Sequence, residues 1–143
     1  AFSPPPSALS PQPSALRPPP STLHPPPSPI PDLPSITPAP DAPEAIRSGA
    51  VRFNRGDYFD AHEAWEDHWH TLPPGPTRDA MQVLIQIAVA LEHRQRGNAT
   101  GARRTLERAA ARLLAARAAA GDFHGLDVAD LLRRARRALD EPA

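Results

Sequence analysis

The sequence contains no cysteine and no lysine, and it has few aromatic residues. Without cysteine, the chain can form no disulfide, no thiolate metal site and no cysteine nucleophile. Ala, Arg and Pro dominate the composition, which we interpret as the product of a GC-rich coding sequence, so a single arginine cluster carries little weight. The 16 basic and 16 acidic residues give a formal net charge of zero, and the chain therefore has no general attraction to nucleic acid or membrane.

Long apolar runs are also missing. The longest run extends from Val83 to Leu91 and is interrupted by Gln86, whereas a transmembrane helix needs roughly 20 apolar residues. No basic start followed by an apolar stretch marks a signal peptide. We therefore expect no membrane partner and, by default, a cytoplasmic location.

Proline is concentrated at the start of the chain, where most of the 21 prolines lie within the first 40 residues. Residues 4–31 repeat a seven-residue unit, PPPSALS, PQPSALR, PPPSTLH and PPPSPIP. Such a composition predicts a disordered tail of polyproline II character over residues 1–40. Two interpretations stay open: a ligand or spacer, or a tandem nucleotide repeat translated upstream of the true start. On either interpretation, we expect the tail to be dispensable for stability.

Residues 41–143 match the size of one small domain, and their apolar periodicity predicts helices throughout. Residues 41–43 favour a helix start, and Gly56–Asp57 favours one helix ending and another beginning. The fold class predicted is all-α, a single bundle of about five helices. We expect these helices at about residues 41–54, 57–71, 77–97, 99–119 and 127–140.

The second helix carries a dense set of aromatic and ionisable residues. Spacings of three and four residues put one set on a shared face, which we expect to be buried: Tyr58, Ala61, His62, Trp65, Trp69 and Leu72. Glu66 follows His62 by one turn, on this face or at its edge. The pattern therefore predicts a His/Glu pair directed at the interior.

The third helix is apolar nearly all round, but its polar exceptions are ordered. Gln82, Gln86 and His93 stand at i, i+4 and i+11, and Arg96 continues the line. Buried amides and imidazoles cost about 1–3 kcal/mol each when they are unpaired. We therefore predict a polar pocket between the second and third helices, in which these groups pair with each other, with water or with a ligand.

Three segments resemble a known family: FNRGDYFDAHEAWEDHW, LIQIAVALEHRQRGNATGARR and GLDVADLL. The family is domain of unknown function 309, whose members are often described as predicted metal-dependent hydrolases. The resemblance covers about residues 45–132 and implies a helical fold and, as an expectation, metal-dependent hydrolysis. Its motifs fall on these positions: Phe53, Asn54, Gly56, Tyr58, Phe59, Asp60, Ala61, His62, Glu63, Glu66, Trp69, Leu84, Ile85, Gln86, Ala88, Ala90, Arg96, Gly97, Asn98, Gly101 and Ala102. The chain departs from the family at Glu92, where relatives usually carry an aromatic residue.

The cofactor is not predicted, and a divalent Zn, Mn or Fe ion is one candidate. His62 and Glu66 at i, i+4 can reach one ion, and His93 is the candidate third ligand. Glu63 is then the candidate general base. A second metal set consists of Glu63, Glu66, Asp67 and His70, with the spacing of di-iron bundles. Whether the protein is an enzyme stays open.

The alternative is a non-catalytic helical interaction module whose polar residues form a structural hydrogen-bonded network. The predicted pocket or network consists of His62, Glu66, Gln82, Gln86, His93, Arg96, Asn98, Trp65 and Trp69. A small-molecule ligand is compatible with the same residues, and the oligomeric state is not predicted. Arginine stripes on the last two helices lack interleaved aromatics and have acidic neighbours, which argues against a nucleic-acid partner.

Overall fold

A computed structural model of the chain describes residues 30 and 33–140. This part of the chain forms an all-α bundle, as the periodicity predicts. The five helices are α1 (Glu44–Asn54), α2 (Tyr58–Trp69), α3 (Pro76–Gln95), α4 (Ala99–Ala120) and α5 (Val128–Asp140). Within the described residues, no helix combines the length and apolar character needed to cross a bilayer.

Helix α3 is the centre of the bundle. It packs against α2, α4 and α5, and its contact with α4 is the most extensive in the molecule. Three neighbours explain why α3 is apolar over most of its circumference, with nine of its residues buried. Helix α1 packs mainly on α2, so these two helices form a second layer beside the α3–α4 hairpin.

The turns use the residues expected from the sequence. Gly56 and Gly97 adopt the left-handed conformation, with φ of 90° and 82°, and each lies just past a helix end. Asp127 caps α5 by accepting the backbone N–H of Asp130 at 2.9 Å. Asp57 lies at the N-cap of α2 but makes no capping side-chain hydrogen bond.

An aromatic cluster fills the space where α1 meets α2. The ring of Phe53 packs edge-on against Tyr58 at 5.1 Å and lies 5.7 Å from the Trp65 ring. The indole N–H of Trp65 donates to the Ile46 carbonyl at 3.2 Å. The absence of a side chain at Gly49 leaves room for the indole, because a Cβ at that position would lie 2.1 Å from the Trp65 Nε1 and overlap it.

The described residues at the N-terminus differ from the prediction of a free tail up to residue 40. Ile30 and Ile36 are buried, and Leu33 packs against the core. We call residue 30 and residues 33–40 the N-terminal segment. It packs because Ile30, Leu33 and Ile36 supply closely spaced apolar side chains, although these residues precede the domain boundary predicted at residue 40. Residues 1–29 lie outside the described residues, and so does the predicted disorder there.

Candidate functional site

The buried face of α2 is narrower than the sequence predicts. Tyr58, Ala61 and Trp65 are fully buried, while His62, Trp69 and Leu72 are half-buried. Glu66 is exposed, so the prediction of a His/Glu pair directed at the interior is wrong for the glutamate. Successive helical residues are about 100° apart, and Glu66 follows the fully buried Trp65, which turns it away from the core.

His62 is bound within its own helical turn. Its Nδ1 lies 2.7 Å from the Phe59 carbonyl oxygen, and because a carbonyl only accepts, Nδ1 carries the proton and donates it. The imidazole also packs edge-on against the Phe59 ring at 5.0 Å. Only Nε2 is left for another partner, so His62 is held by local contacts of α2.

The polar line of α3 is half-buried along Gln82, Gln86 and His93. The Oε1 atom of Gln86 is buried and has no hydrogen-bond partner among the described residues. Arg96, at the end of the line, is exposed and pairs with Glu92 of its own helix at 2.7 Å. The arginine therefore has its ion-pair partner within α3 itself.

His93 serves the turn between α3 and α4. Its Nδ1 lies 3.2 Å from the Nδ2 of Asn98, whose Oδ1 accepts the Gly101 backbone N–H at 2.9 Å. Since the amide oxygen is engaged with Gly101, the Asn98 NH₂ group is the donor and His93 the acceptor. His93 thus helps to hold the residue that caps α4.

Glu63, the candidate general base, lies on a different side of α2. It is exposed and lines an open groove between α1 and α2, together with Glu44 and Arg52 of α1 and with Asp60 and Asp67. His62 and Glu63 are neighbours in the sequence, but consecutive helical residues point about 100° apart. The zincin-like arrangement of ligand and base therefore receives no support from the fold.

In the part of the chain that the structure describes, no three His, Asp or Glu side chains form a group able to hold a metal ion. This holds for His62, Glu66 and His93, and also for the alternative set on α2. The reason is visible for Glu66, which is exposed, and for His93, whose Nδ1 is engaged with Asn98. The metal site stays a prediction.

The predicted aromatic members of the site act in packing. Trp65 is fully buried, and the half-buried Trp69 lies beneath the guanidinium of Arg78, whose Cζ is 3.9 Å from the ring centroid. This stacking joins the end of α2 to the start of α3. The Nε of Arg78 is buried without a hydrogen-bond partner in the described residues.

A partly open cavity lies away from all of these residues. Its volume is about 180 Å³, and it is bordered by the first half of α4 and the ends of α3 and α5. Arg94 lines it and donates to the Ala138 carbonyl at 3.0 Å, which fixes α5 on α3. None of the predicted metal or catalytic residues borders this cavity.

Several members of the arginine stripes are paired with acids. Arg112 contacts Asp79 of α3 at 3.0 Å, and Arg133 and Arg134 both pair with Asp130. The two arginines lower the pKa of the Asp130 carboxyl, chiefly through the hydrogen bond from Arg134. These pairs leave less free positive charge than the sequence stripes suggest.

Sequence reasoning missed the residues that hold the N-terminal segment. Asn54 accepts the Ile36 N–H at its Oδ1 and donates from its Nδ2 to the Ile36 carbonyl, both at 2.8 Å. Tyr58 accepts the Ile30 N–H at its hydroxyl, at 3.0 Å, and burial raises the pKa of this phenol. The available signal was the spacing of Ile30, Leu33 and Ile36, three residues apart in a proline-rich stretch.

Comparison with known proteins identifies the domain. A family model with the description "Domain of unknown function (DUF309)" matches residues 46–105. The chain is similar to the "Uncharacterized protein YpuF" of Bacillus subtilis (strain 168), with 40% identity over 91 residues, which are 63% of this chain and 52% of the relative. The chain therefore spans about half the length of that curated relative. No solved structure matches the chain significantly. Residues 46–105, which the DUF309 model matches, extend from α1 into the first turns of α4.

Proposed function

We propose that this protein is a non-catalytic helical binding module in which the polar residues of α2 and α3 stabilise the fold. One observation carries the proposal: His62 and His93, the two histidines predicted to bind one metal ion, are each bound to a different structural partner. His62 donates within α2, whereas His93 supports the Asn98 cap at the opposite end of α3 from Trp69 and Arg78. Catalysis needs such groups to converge on one reacting atom.

A metal titration tests this proposal against the hydrolase alternative. We expect the melting temperature of the purified full chain to stay constant when Zn²⁺, Mn²⁺ or Fe²⁺ is added. A specific site would stabilise the protein by RT ln(1 + [L]/Kd), about 2.7 kcal/mol at a hundredfold excess over Kd. His62→Ala, Glu66→Ala and His93→Ala should behave identically with and without metal. A metal-induced rise in the wild type that these variants lose would reject the non-catalytic assignment.

A small-molecule site along the α3 line is the second candidate function, and Gln86 favours it. Its buried Oε1 lacks a partner among the described residues, and leaving a buried acceptor unpaired costs about 1–3 kcal/mol. A ligand with a hydrogen-bond donor would recover this energy. Native mass spectrometry of the freshly purified chain distinguishes the candidates, because a bound ligand adds mass that denaturation removes. A spectrum with the mass of the chain alone would favour the binding module.

A further inference from the structure

The N-terminal segment lies on the domain in the manner of a bound peptide. Three of its backbone N–H groups donate to groups outside the segment, from Ile30 to Tyr58, from Ile36 to Asn54 and from Ala39 to the His124 carbonyl. The fourth, from Leu33, closes a turn onto the Ile30 carbonyl. The four donors are spaced by three residues, and the turn from Ile30 to Leu33 precedes the two N–H groups, of Ile36 and Ala39, that bind the domain.

Recognition of the segment uses its backbone more than its side-chain chemistry. The Asn54 amide contacts both the N–H and the carbonyl of Ile36, as a neighbouring strand would. An amide that pairs bidentately with a main chain accepts any residue there except proline, which lacks the N–H. Specificity then comes from the apolar side chains, since Ile30 and Ile36 are buried and Leu33 is half-buried.

The fit between the segment and its binding surface is incomplete. A cavity of about 130 Å³ remains where the segment crosses Phe53, Asn54 and Tyr58, which we call the aromatic groove. Leu33, Pro34 and Ser35 border the same cavity from the segment side. Protein interiors are normally filled to the density of organic crystals, so a ligand with a larger side chain near position 35 would fill the groove better.

The aromatic groove and the N-terminal segment also differ in their position relative to the residues that the family model matches. Phe53, Asn54 and Tyr58 lie inside the matched range of residues 46–105, whereas the whole N-terminal segment precedes it. The binding surface therefore lies within the matched range, and the segment that occupies it lies before that range.

We propose that the aromatic groove is a peptide-binding site for proline-containing segments with apolar residues at every third position, and that Ile30 and residues 33–36 occupy it as a releasable internal ligand. This inference rests on the proposed binding function and gives it a ligand class. An external peptide competes with the internal one, which is present at an effective concentration on the order of millimolar for a short tether. Binding from solution is therefore weak until the internal ligand is weakened.

The test uses the full chain with Ile30→Ser and Ile36→Ser, which removes both buried anchors. A fluorescein-labelled peptide of residues 29–39, PIPDLPSITPA, is titrated against this variant and the wild type. We expect at least tenfold tighter binding to the variant, and at least a tenfold loss when Asn54→Ala is added. The control peptide, residues 13–23, PSALRPPPSTL, is equally proline-rich but spaces its larger apolar residues by seven. It should bind at least tenfold more weakly.

A folded variant that does not bind the first peptide, or binds both peptides equally, overturns the proposal. If the variant does not fold, amide hydrogen exchange of the wild-type protein tests whether the segment can be released. A releasable segment exposes the Ile36 amide at least tenfold more often than the buried amides around Leu84. Equal exchange rates for the two sets of amides would mean that the segment is released only when the whole domain unfolds. This result also overturns the proposal. If metal raises the melting temperature and the peptide also binds, the non-catalytic assignment is rejected and the peptide-binding site stands. If the peptide does not bind and metal has no effect on the melting temperature, the peptide-binding site is rejected and the non-catalytic assignment stands.

Discussion

At the scale of the residue, the packing of α1 against α2 leaves no space for one additional carbon atom at Gly49. Gly49 faces the Trp65 indole so closely that any Cβ overlaps the ring, at 2.1 Å from Nε1 and 2.5 Å from Cδ1. The same indole is fixed by its hydrogen bond to the Ile46 carbonyl, one turn earlier on α1. Neither the ring nor the helix can move without losing this bond, so the glycine is required by packing and not by backbone conformation.

We therefore expect Gly49→Ala to lower the free energy of unfolding by about 1–3 kcal/mol, the usual cost of overpacking a filled core. Urea denaturation followed by tryptophan fluorescence measures the change. Gly121→Ala is the matched control, because Gly121 has a φ of −74° and no atom within 4 Å of an added Cβ. The control should be neutral or slightly stabilising. Equal losses for the two variants would contradict the packing argument.

At the scale of the element, the α3–α4 hairpin shows how a family motif can be explained by folding alone. Gly97 supplies the left-handed turn, and Asn98 caps α4 through the Gly101 N–H. Gly101 is needed because a Cβ there would lie 2.4 Å from the Asn98 Nδ2. The R-G-N-x-x-G-A motif thus specifies a tight helix–turn–helix connection, and its asparagine needs no ligand to account for it.

Asn98→Ala should destabilise the protein by about 1 kcal/mol, because the α4 cap and the contact with His93 are both lost. Asn98→Asp retains the Oδ1 acceptor for Gly101 and removes the NH₂ donor to His93, so it should recover most of the loss. Thr100→Ala, at an exposed position of the same turn, is the control and should change little. Thermal unfolding followed by circular dichroism measures all three. A full loss in the aspartate variant would assign the stability to His93 and not to the cap.

At the scale of the whole molecule, the N-terminal segment connects parts that are distant in sequence. It is bound at the α1–α2 junction by Asn54 and Tyr58 and at the α4–α5 loop by the His124 carbonyl. A tight turn presents that carbonyl, with φ of 52° at His124 and 86° at Gly125. A Cβ at Gly125 would lie 2.6 Å from the Ala39 nitrogen, so the loop and the segment are in close contact.

Truncation separates the repeat from the segment. Removing residues 1–29 should leave the melting temperature nearly unchanged, because the repeat has the composition of a chain that buries little apolar surface. Removing residues 1–40 should cost several kcal/mol, since burying one isoleucine side chain alone contributes about 1.5–3 kcal/mol. Two equal melting temperatures would show that the packed segment adds nothing to stability.

The sequence by itself determined the elements of this protein. The spacing of Ile46, Ala50 and Phe53 predicts the buried side of α1, and the glycines after α1 and α3 predict where those helices end. These signals are local: an apolar stripe, a cap or a left-handed glycine acts within a few residues, so its effect can be read from the chain.

Only the tertiary structure decided which polar residues meet. A helix fixes the angles between His62, Glu63 and Glu66, but the positions of α1 and α3 decide which of them becomes buried, and those positions depend on contacts distant in sequence. The N-terminal segment illustrates the same limit. Its sequence is proline-rich like the repeat before it, and its isoleucines are buried only because the folded domain presents the Phe53–Tyr58 surface. Burial is a property of two surfaces, and the sequence of one surface does not specify the other.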